Sequence, residues 1–242
     1  MFPCRASTKL KKEAGKDNLM AMRIINPDKC IVFFDFDNTI STFDVFDSML
    51  PCFSRDELWV ELEKKWQGGK IGSRDCLEGQ IRGMNITKAA LDKYLAGIKL
   101  DPYFKKLVKL LSSRKVKAIV LSDNFDYILR RVLNYNHGIR KLKIYSNKLR
   151  FAKDRLIPYF PFRSKNCQIC AHCKTKNLLA NVDKESIIIY IGDGHSDVCP
   201  SQYADIVFAK ADLLKHYRDT KSTCFAYKSL KDVYNYFKRS IG

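Results

Sequence analysis

A chain of 242 residues, 46% of them hydrophobic, can build one large domain or a core with a smaller insert, and is too apolar for wholesale disorder. Its 44 Lys and Arg against 26 Asp and Glu give a formal net charge of +18, which favours acidic or phosphorylated partners. No apolar run approaches the roughly 20 residues needed to span a bilayer. The cations are spread along the chain with no zinc-finger or RNP motif among them, so a dedicated nucleic-acid partner is not expected.

Residues 1–28 are polar and Lys-rich, lack an apolar secretory core, and read as a disordered basic arm. The first strand is predicted over Cys30–Phe34 and runs directly into Asp35-Phe36-Asp37-Asn38-Thr39-Ile40. Two carboxylates at the end of a buried strand are costly unless a cation or a reaction uses them. In an open parallel sheet, ligands bind at that C-terminal edge. Residues 41–114 have helical character interrupted by Gly68, Gly69 and Gly72. They are too long for a single crossover helix and read as an inserted helical cap, leaving residues 29–40 and 115–242 as the core. Asp44 and Asp47 at the start of this insert could face a cationic group.

A second strand, Val116–Leu121, ends in Ser122-Asp123-Asn124, whose hydroxyl and loop amides suit an oxyanion. The helix Phe125–Leu133 and the strand Leu142–Tyr145 follow. Cys167, Cys170 and Cys173 precede Lys174 and Lys176, either of which could carry a cation to the same edge. Their spacing could bind zinc or an iron–sulfur cluster, with His172 or Cys199 as a fourth ligand. The paired structural-zinc pattern is absent, however, and the favoured reading is a reduced loop near the site. Nine cysteines without an extracellular framework, and no secretory signal, suggest a reducing, cytoplasmic compartment. The helix Asn177–Val182 leads to the strand Ser186–Ile191, then Gly192-Asp193-Gly194-His195-Ser196-Asp197. The strand Asp205–Phe208 and the helices Asp212–Tyr217 and Leu230–Phe237 complete the order. Strands alternating with helices imply an α/β fold with a parallel sheet covered on both faces. Parallel strands deliver Asp35, Asp37, Asp193 and Asp197 to one edge, where a hard divalent cation such as Mg²⁺ offsets their repulsion.

Taken together, Asp35-x-Asp37-x-Thr39, Ser122, a helix-leading lysine and Gly192-Asp193-Gly194 with Asp197 resemble the haloacid dehalogenase (HAD) superfamily of aspartyl phosphotransferases. More narrowly, Ser122-Asp123, Cys173-Lys174-x-Lys176 and the run Gly192 to Pro200 resemble the phosphoethanolamine/phosphocholine phosphatases. The methionine-salvage phosphatases acting on 2-hydroxy-3-keto-5-methylthiopentenyl-1-phosphate are similar at many of these positions. The resemblance implies a three-layer α/β/α Rossmann-like core with a small helical cap between the first two core strands. It also implies a Mg²⁺-dependent phosphomonoester hydrolase acting on a small phosphorylated substrate. On that basis Asp35 is the nucleophile and Asp37 the general acid and base. Asp35, the Asp37 backbone carbonyl and Asp193 hold the metal, with Asp197 behind them fixing waters or the lysine. Ser122 and Lys174 bind the phosphoryl oxygens, and Thr39 bonds the loop backbone. A cysteine directly before the lysine in both groups singles out Lys174 over Lys176. Asp123 matches an aspartate of the phosphoethanolamine-type enzymes where the salvage enzymes tend to have glycine. With Asp44 it is expected to bind substrate, making phosphoethanolamine or phosphocholine the expected substrate and the salvage type the alternative. A basic protein docking on nucleic acid or anionic membrane is the alternative from a different class.

Overall fold

The computed structural model describes residues 25–152, 155–164 and 169–241. Most of the expected basic arm lies outside the described residues, as does Cys167. From Ile25 onward the chain is packed: Ile25 is buried, and its N–H donates to the Ser240 carbonyl at 2.9 Å.

In chain order the elements are β1 Cys30–Phe34, α1 Val45–Phe53, α2 Leu58–Gln67, α3 Ser73–Gly83, α4 Lys88–Ala96, α5 Phe104–Ser113 and β2 Lys117–Phe125. Next come α6 Asp126–Arg130, continued by a π-helical turn over Arg131–Asn136, then β3 Lys143–Ala152, β4 Arg155–Tyr159, α7 Lys174–Leu179 and β5 Ile187–Gly192. The chain ends with α8 Val198–Ser201, β6 Ile206–Ala209, α9 Ala211–Asp219, β7 Phe225–Ala226 and α10 Leu230–Ser240. The seven strands form one sheet in the order β4-β3-β2-β1-β5-β6-β7. Every pairing is parallel except β3 with β4, which is antiparallel. The core is thus the expected parallel sheet, with β4 added antiparallel at one edge. β4 carries Pro158 and exposes Ile157 and Tyr159, a composition that a strand tolerates only at a sheet edge.

Side-chain alternation along the central strands assigns the two helical layers. Val32, Phe34, Val120, Ile189 and Ile191 share one apolar cluster with residues of α5, α6 and α10. Ile31, Phe33, Ile119, Leu121, Ile188 and Tyr190 share another with Leu178 of α7. Asp35 therefore continues the face that meets α7. The two connections into the α1–α4 segment run side by side, with Ser41 bridging Leu100 and the Asp101 N–H donating to the Ile40 carbonyl at 2.8 Å. α5 lies under the sheet, its Phe104 ring 5.6 Å from that of Phe34. α5, which falls within the 41–114 segment expected as a cap, thus packs against a core strand. Among the described residues, no helix is long and apolar enough to cross a membrane.

Candidate active site

β1 buries all five of its residues, and the Asp35 N–H extends its ladder by one step, donating to the Ile191 carbonyl at 2.9 Å. The Asp35 side chain thus leaves the sheet edge on the α7 side, where Lys174 is the first helical residue. Lys174 Nζ donates to Asp35 Oδ1 at 2.7 Å, to Asp197 Oδ1 at 2.8 Å and to Ser196 Oγ at 2.8 Å. All three ammonium hydrogens are used, and the side chain is buried. Burial alone would lower the Lys174 pKa, but the carboxylates of Asp197, Asp35 and Asp123 hold it well above its usual value. Lys176, the competing lysine, is exposed and, among the described residues, reaches the Arg163 carbonyl at 3.4 Å.

Asp197 is buried and fully engaged. Its Oδ1 accepts from Lys174 and from the Tyr190 hydroxyl at 2.7 Å, and its Oδ2 from the N–H groups of Asp193 and Gly194 at 3.0 and 3.1 Å. One carboxylate thus orders both the lysine and the Gly-Asp-Gly turn. The close approach is what demands glycine at 192: a Cβ there would lie 2.7 Å from Asp197 Cγ and 3.0 Å from Tyr190 Cε1. Gly192→Ala is accordingly expected to cost about 1–3 kcal/mol of stability through overpacking and to reduce turnover at least about tenfold by displacing Asp197. Thermal melting and steady-state kinetics on the same preparation check this.

Asp193 Oδ1 accepts from Thr39 Oγ1 at 3.1 Å. Thr39 was expected to bond the loop backbone; it bonds this carboxylate instead, because the turn after Asp37 folds back over the neighbouring strand. Asn38 makes that turn at φ +54°, a left-handed conformation that asparagine tolerates. The Phe36 carbonyl then accepts from Thr39, Ile40 and Ser41 in succession. Asp37 Oδ1 accepts from the Val45 N–H at 2.9 Å, and Asn124 Nδ2 lies 3.1 Å from both of its oxygens. Burial first, then the Asp44 charge, raises the Asp37 pKa well above the usual carboxylate range. Asp35 is likewise raised, by burial and then by Asp197, with Lys174 opposing. Burial and the same neighbour push Asp193 up to about 6.

Ser122 is buried in the last half of β2, where its Oγ accepts from the Asn124 N–H at 3.0 Å, and among the described residues nothing takes its hydroxyl hydrogen. His172 clasps this part of β2: Nδ1 lies 2.7 Å from the Ser122 carbonyl and Nε2 lies 2.6 Å from Asn177 Nδ2. Burial lowers its pKa to about 4, so the ring is neutral, with Nδ1–H donating to the carbonyl and Nε2 accepting from the amide. With both nitrogens engaged, His172 has no free electron pair for a metal. Among the described residues, the cluster of side chains able to hold a metal is Asp35, Asp193 and Asp197, with ligand atoms within 4.8 Å of one another.

Asp35, Asp37, Asn124, Lys174 and Asp193 line a cleft of about 550 Å³, with Ser122 and Asp197 buried behind them. Asp123 lines it with Oδ1 buried and, among the described residues, without a hydrogen-bond partner, its pKa pushed up to about 6 by burial. Asp44 lines it while capping α1 through the Asp47 N–H at 2.9 Å. The cap side contributes Glu63, Trp66, Cys76 and Gln80, none of which the sequence reading singled out. Glu63 accepts from Gln67 Nε2 at 3.0 Å and from Gln80 Nε2 at 3.3 Å. Asn124, Tyr190 and Ser196 were also missed as supports of Asp37, Asp197 and Lys174. Each sits within or beside a motif already recognised, and that adjacency was the available signal.

A family model described as "Putative Phosphatase" matches residues 30–223. The bifunctional enzyme MtnB/MtnX of Bacillus licheniformis is 26% identical over 212 residues, 85% of this chain and 48% of that protein. The chain thus spans about half the length of that relative. The 2-hydroxy-3-keto-5-methylthiopentenyl-1-phosphate phosphatase of Bacillus cereus is 23% identical over 206 residues, 84% of this chain and 93% of that enzyme. A HAD family hydrolase from Salmonella enterica serovar Typhi shares the fold with a TM-score of 0.70 at 17% identity, covering 88% of this chain and 72% of that one. The chain belongs to the Putative Phosphatase family, whose model spans most of it, and is a phosphatase of that family.

Proposed function

We propose that the protein is a Mg²⁺-dependent phosphomonoesterase that works through an aspartyl-phosphate on Asp35. The observation that carries this reading is the buried Lys174–Asp35 contact at 2.7 Å, set beside two further carboxylates within 4.8 Å. Carboxylates this close, with pKa values raised by burial and mutual repulsion, fit a hard divalent cation. Asp197 is saturated by four hydrogen bonds, so Asp35, Asp193 and the Asp37 backbone carbonyl are the groups proposed to hold Mg²⁺. When bound, the ion neutralises charge and orients the phosphoryl oxygens.

Asp35 attacks phosphorus with a carboxylate oxygen, forming a P–O bond as the bond to the leaving alcohol breaks. Lys174 holds the other oxygen and keeps the nucleophile aimed along the strand. Lys174, exchanging its Ser196 bond for the substrate, and the Ser122 hydroxyl bind the equatorial phosphoryl oxygens, where transition-state charge gathers. Asp37, whose raised pKa keeps a proton available, gives it to the departing alkoxide. In the second half Asp37 takes a proton from water, which attacks phosphorus and releases Asp35. Asn124 and the Val45 N–H hold Asp37 in position for both steps.

For the substrate, the named relatives favour 2-hydroxy-3-keto-5-methylthiopentenyl-1-phosphate over phosphoethanolamine, reversing the order of expectation from sequence. A specific observation keeps the amino-alcohol phosphates as the second reading: Asp44, Asp47, Glu63 and Asp123 face the cleft with Trp66 beside them, a wall suited to a cation. The acidic wall opposes a leaving group that bears a carboxylate. A panel of the methylthiopentenyl phosphate, phosphoethanolamine, phosphocholine and phosphoserine separates the two readings, with phosphoserine expected to be the slowest. Asp37→Asn is expected to slow alkyl phosphates by about 10²–10⁴-fold through loss of acid catalysis. In the phosphorylation half-reaction, followed as the pre-steady-state burst, an aryl phosphate, whose leaving group needs no proton, should lose far less. Equal losses on both would remove Asp37 from the acid role.

A further inference from the structure

Tyr227 lies in the loop between β7 and α10, beyond the last residue matched by the family model, and none of the motifs reaches it. It is nonetheless buried at 4% exposure, and its hydroxyl lies 3.2 Å from Thr39 Oγ1. Thr39 is 1% exposed and donates to Asp193 Oδ1 at 3.1 Å. The hydrogens along this chain can be assigned. An ionised Asp193 has none to give, so the Thr39 hydrogen points to Asp193, and Thr39 Oγ1 must then accept from Tyr227. The alternative acceptor for the tyrosine, the Gly192 carbonyl, is farther away at 3.5 Å and would leave two hydroxyl oxygens facing each other. Burial keeps the phenol protonated, and therefore a donor, across the working pH range.

The tyrosine is itself fixed. Its N–H donates to the Ala209 carbonyl at 3.2 Å, at the end of β6, and Lys210 Nζ sits 5.3 Å from the centre of its ring. Ala209 pairs with Gly192, the residue before Asp193. Tyr227 thus joins the β6 end, the turn after β1 and the Gly-Asp-Gly turn at one hydroxyl.

From this geometry we infer that Tyr227 is a positioning residue for Asp193, acting through Thr39. The chain Tyr227 O–H to Thr39 O–H to Asp193 Oδ1 pins one carboxylate oxygen and turns the other toward the cation site. Successive hydroxyl donors polarise one another, so the far member contributes through the near one. The inference rests on the proposed reading of Asp193 as a metal ligand.

Calorimetric titration of Mg²⁺ into the full-length chain, well below the melting temperature, tests it without recourse to turnover. Tyr227→Phe keeps the ring and removes only the hydroxyl, and is expected to weaken Mg²⁺ binding about 3- to 10-fold, one step removed from the 10–100-fold typical of direct partners of ligands. Thr39→Val should weaken it at least as much. The double variant should be no weaker than Thr39→Val alone, because the tyrosine then has nothing to act through. In the Thr39→Ser background, which retains the hydroxyl, Tyr227→Phe should again carry its cost. Mg²⁺ affinity of Tyr227→Phe within twofold of wild type, or additive losses in the double variant, overturns the inference. Asp193→Asn separates this failure from failure of the site itself: unchanged Mg²⁺ binding there removes Asp193 as a ligand, and the role of Tyr227 falls with it.

Discussion

Replacing Asp35 with Asn is expected to lower turnover by on the order of 10³-fold or more, while the Mg²⁺-free protein melts no lower than wild type. The two halves of this result have different causes. Asparagine has no carboxylate to form the phosphoryl ester, so the covalent route closes. Stability follows from the raised pKa of Asp35. A carboxyl that binds its proton more tightly in the folded than in the unfolded state costs stability once pH rises above its folded pKa, and costs nothing below its unfolded pKa. At pH 7–8 without metal, the neutral amide escapes that cost and leaves Lys174 paired with Asp197. Mg²⁺ should raise the melting temperature of wild type and have little effect on the variant. A variant that melts well below wild type would show instead that the Lys174 pair outweighs repulsion among the aspartates.

Lys174→Met is expected to lower both activity and stability. The ammonium is 3% exposed and is the cation between Asp35 and Asp197. Removing one partner of a buried ion pair strands the other, which typically costs about 3–5 kcal/mol; here two carboxylates are stranded. For a chain of this size that corresponds to a fall in melting temperature on the order of 10 °C. Turnover should drop on the order of 10²–10³-fold through loss of charge stabilisation at the transferring phosphoryl group. Lowering the pH should recover part of the stability as the carboxylates protonate, and none of the activity. Lys176→Met should change neither property measurably, because its contact is an exposed 3.4 Å bond to a carbonyl. Melting curves with and without Mg²⁺, alongside kinetics, distinguish these variants from Asp35→Asn.

The parts of the fold that were legible in sequence are those where an apolar run ends in a charged one. β1 occurs as read from Cys30 to Phe34, because Asp35 marks where burial stops. Polar residues misled elsewhere. Ser122-Asp123-Asn124 reads as a turn, yet β2 continues through it to Phe125. β3 runs on to Ala152 because β4 pairs with its second half, a hairpin with no tight-turn signature. The helix expected over Phe125–Leu133 tightens to Asp126–Arg130 and loosens into a π turn, a distinction without a sequence signal. α7 begins at Lys174 and not at Asn177 because no side-chain cap announces its start.

In the site, the motif residues were legible because chemistry restricts which residue types can serve. Their supports were not, since each depends on a partner far along the chain. Asn124 meets Asp37 across 87 residues and Tyr227 meets Thr39 across 188. Glu63 and Trp66 are ordinary on an amphipathic helix until the cap folds them over the cleft. The substrate is the least legible feature, because the leaving group is met by side chains from this insert and not by the motifs.

The most direct test of the central proposal is an acid quench during turnover with labelled substrate, followed by peptide mapping of the bound phosphate. The label is expected on the peptide carrying Asp35, to persist longer in Asp37→Asn, and to be absent from Asp35→Asn. Full turnover with no acid-stable label on Asp35, or with the label on another residue, would contradict nucleophilic catalysis by Asp35.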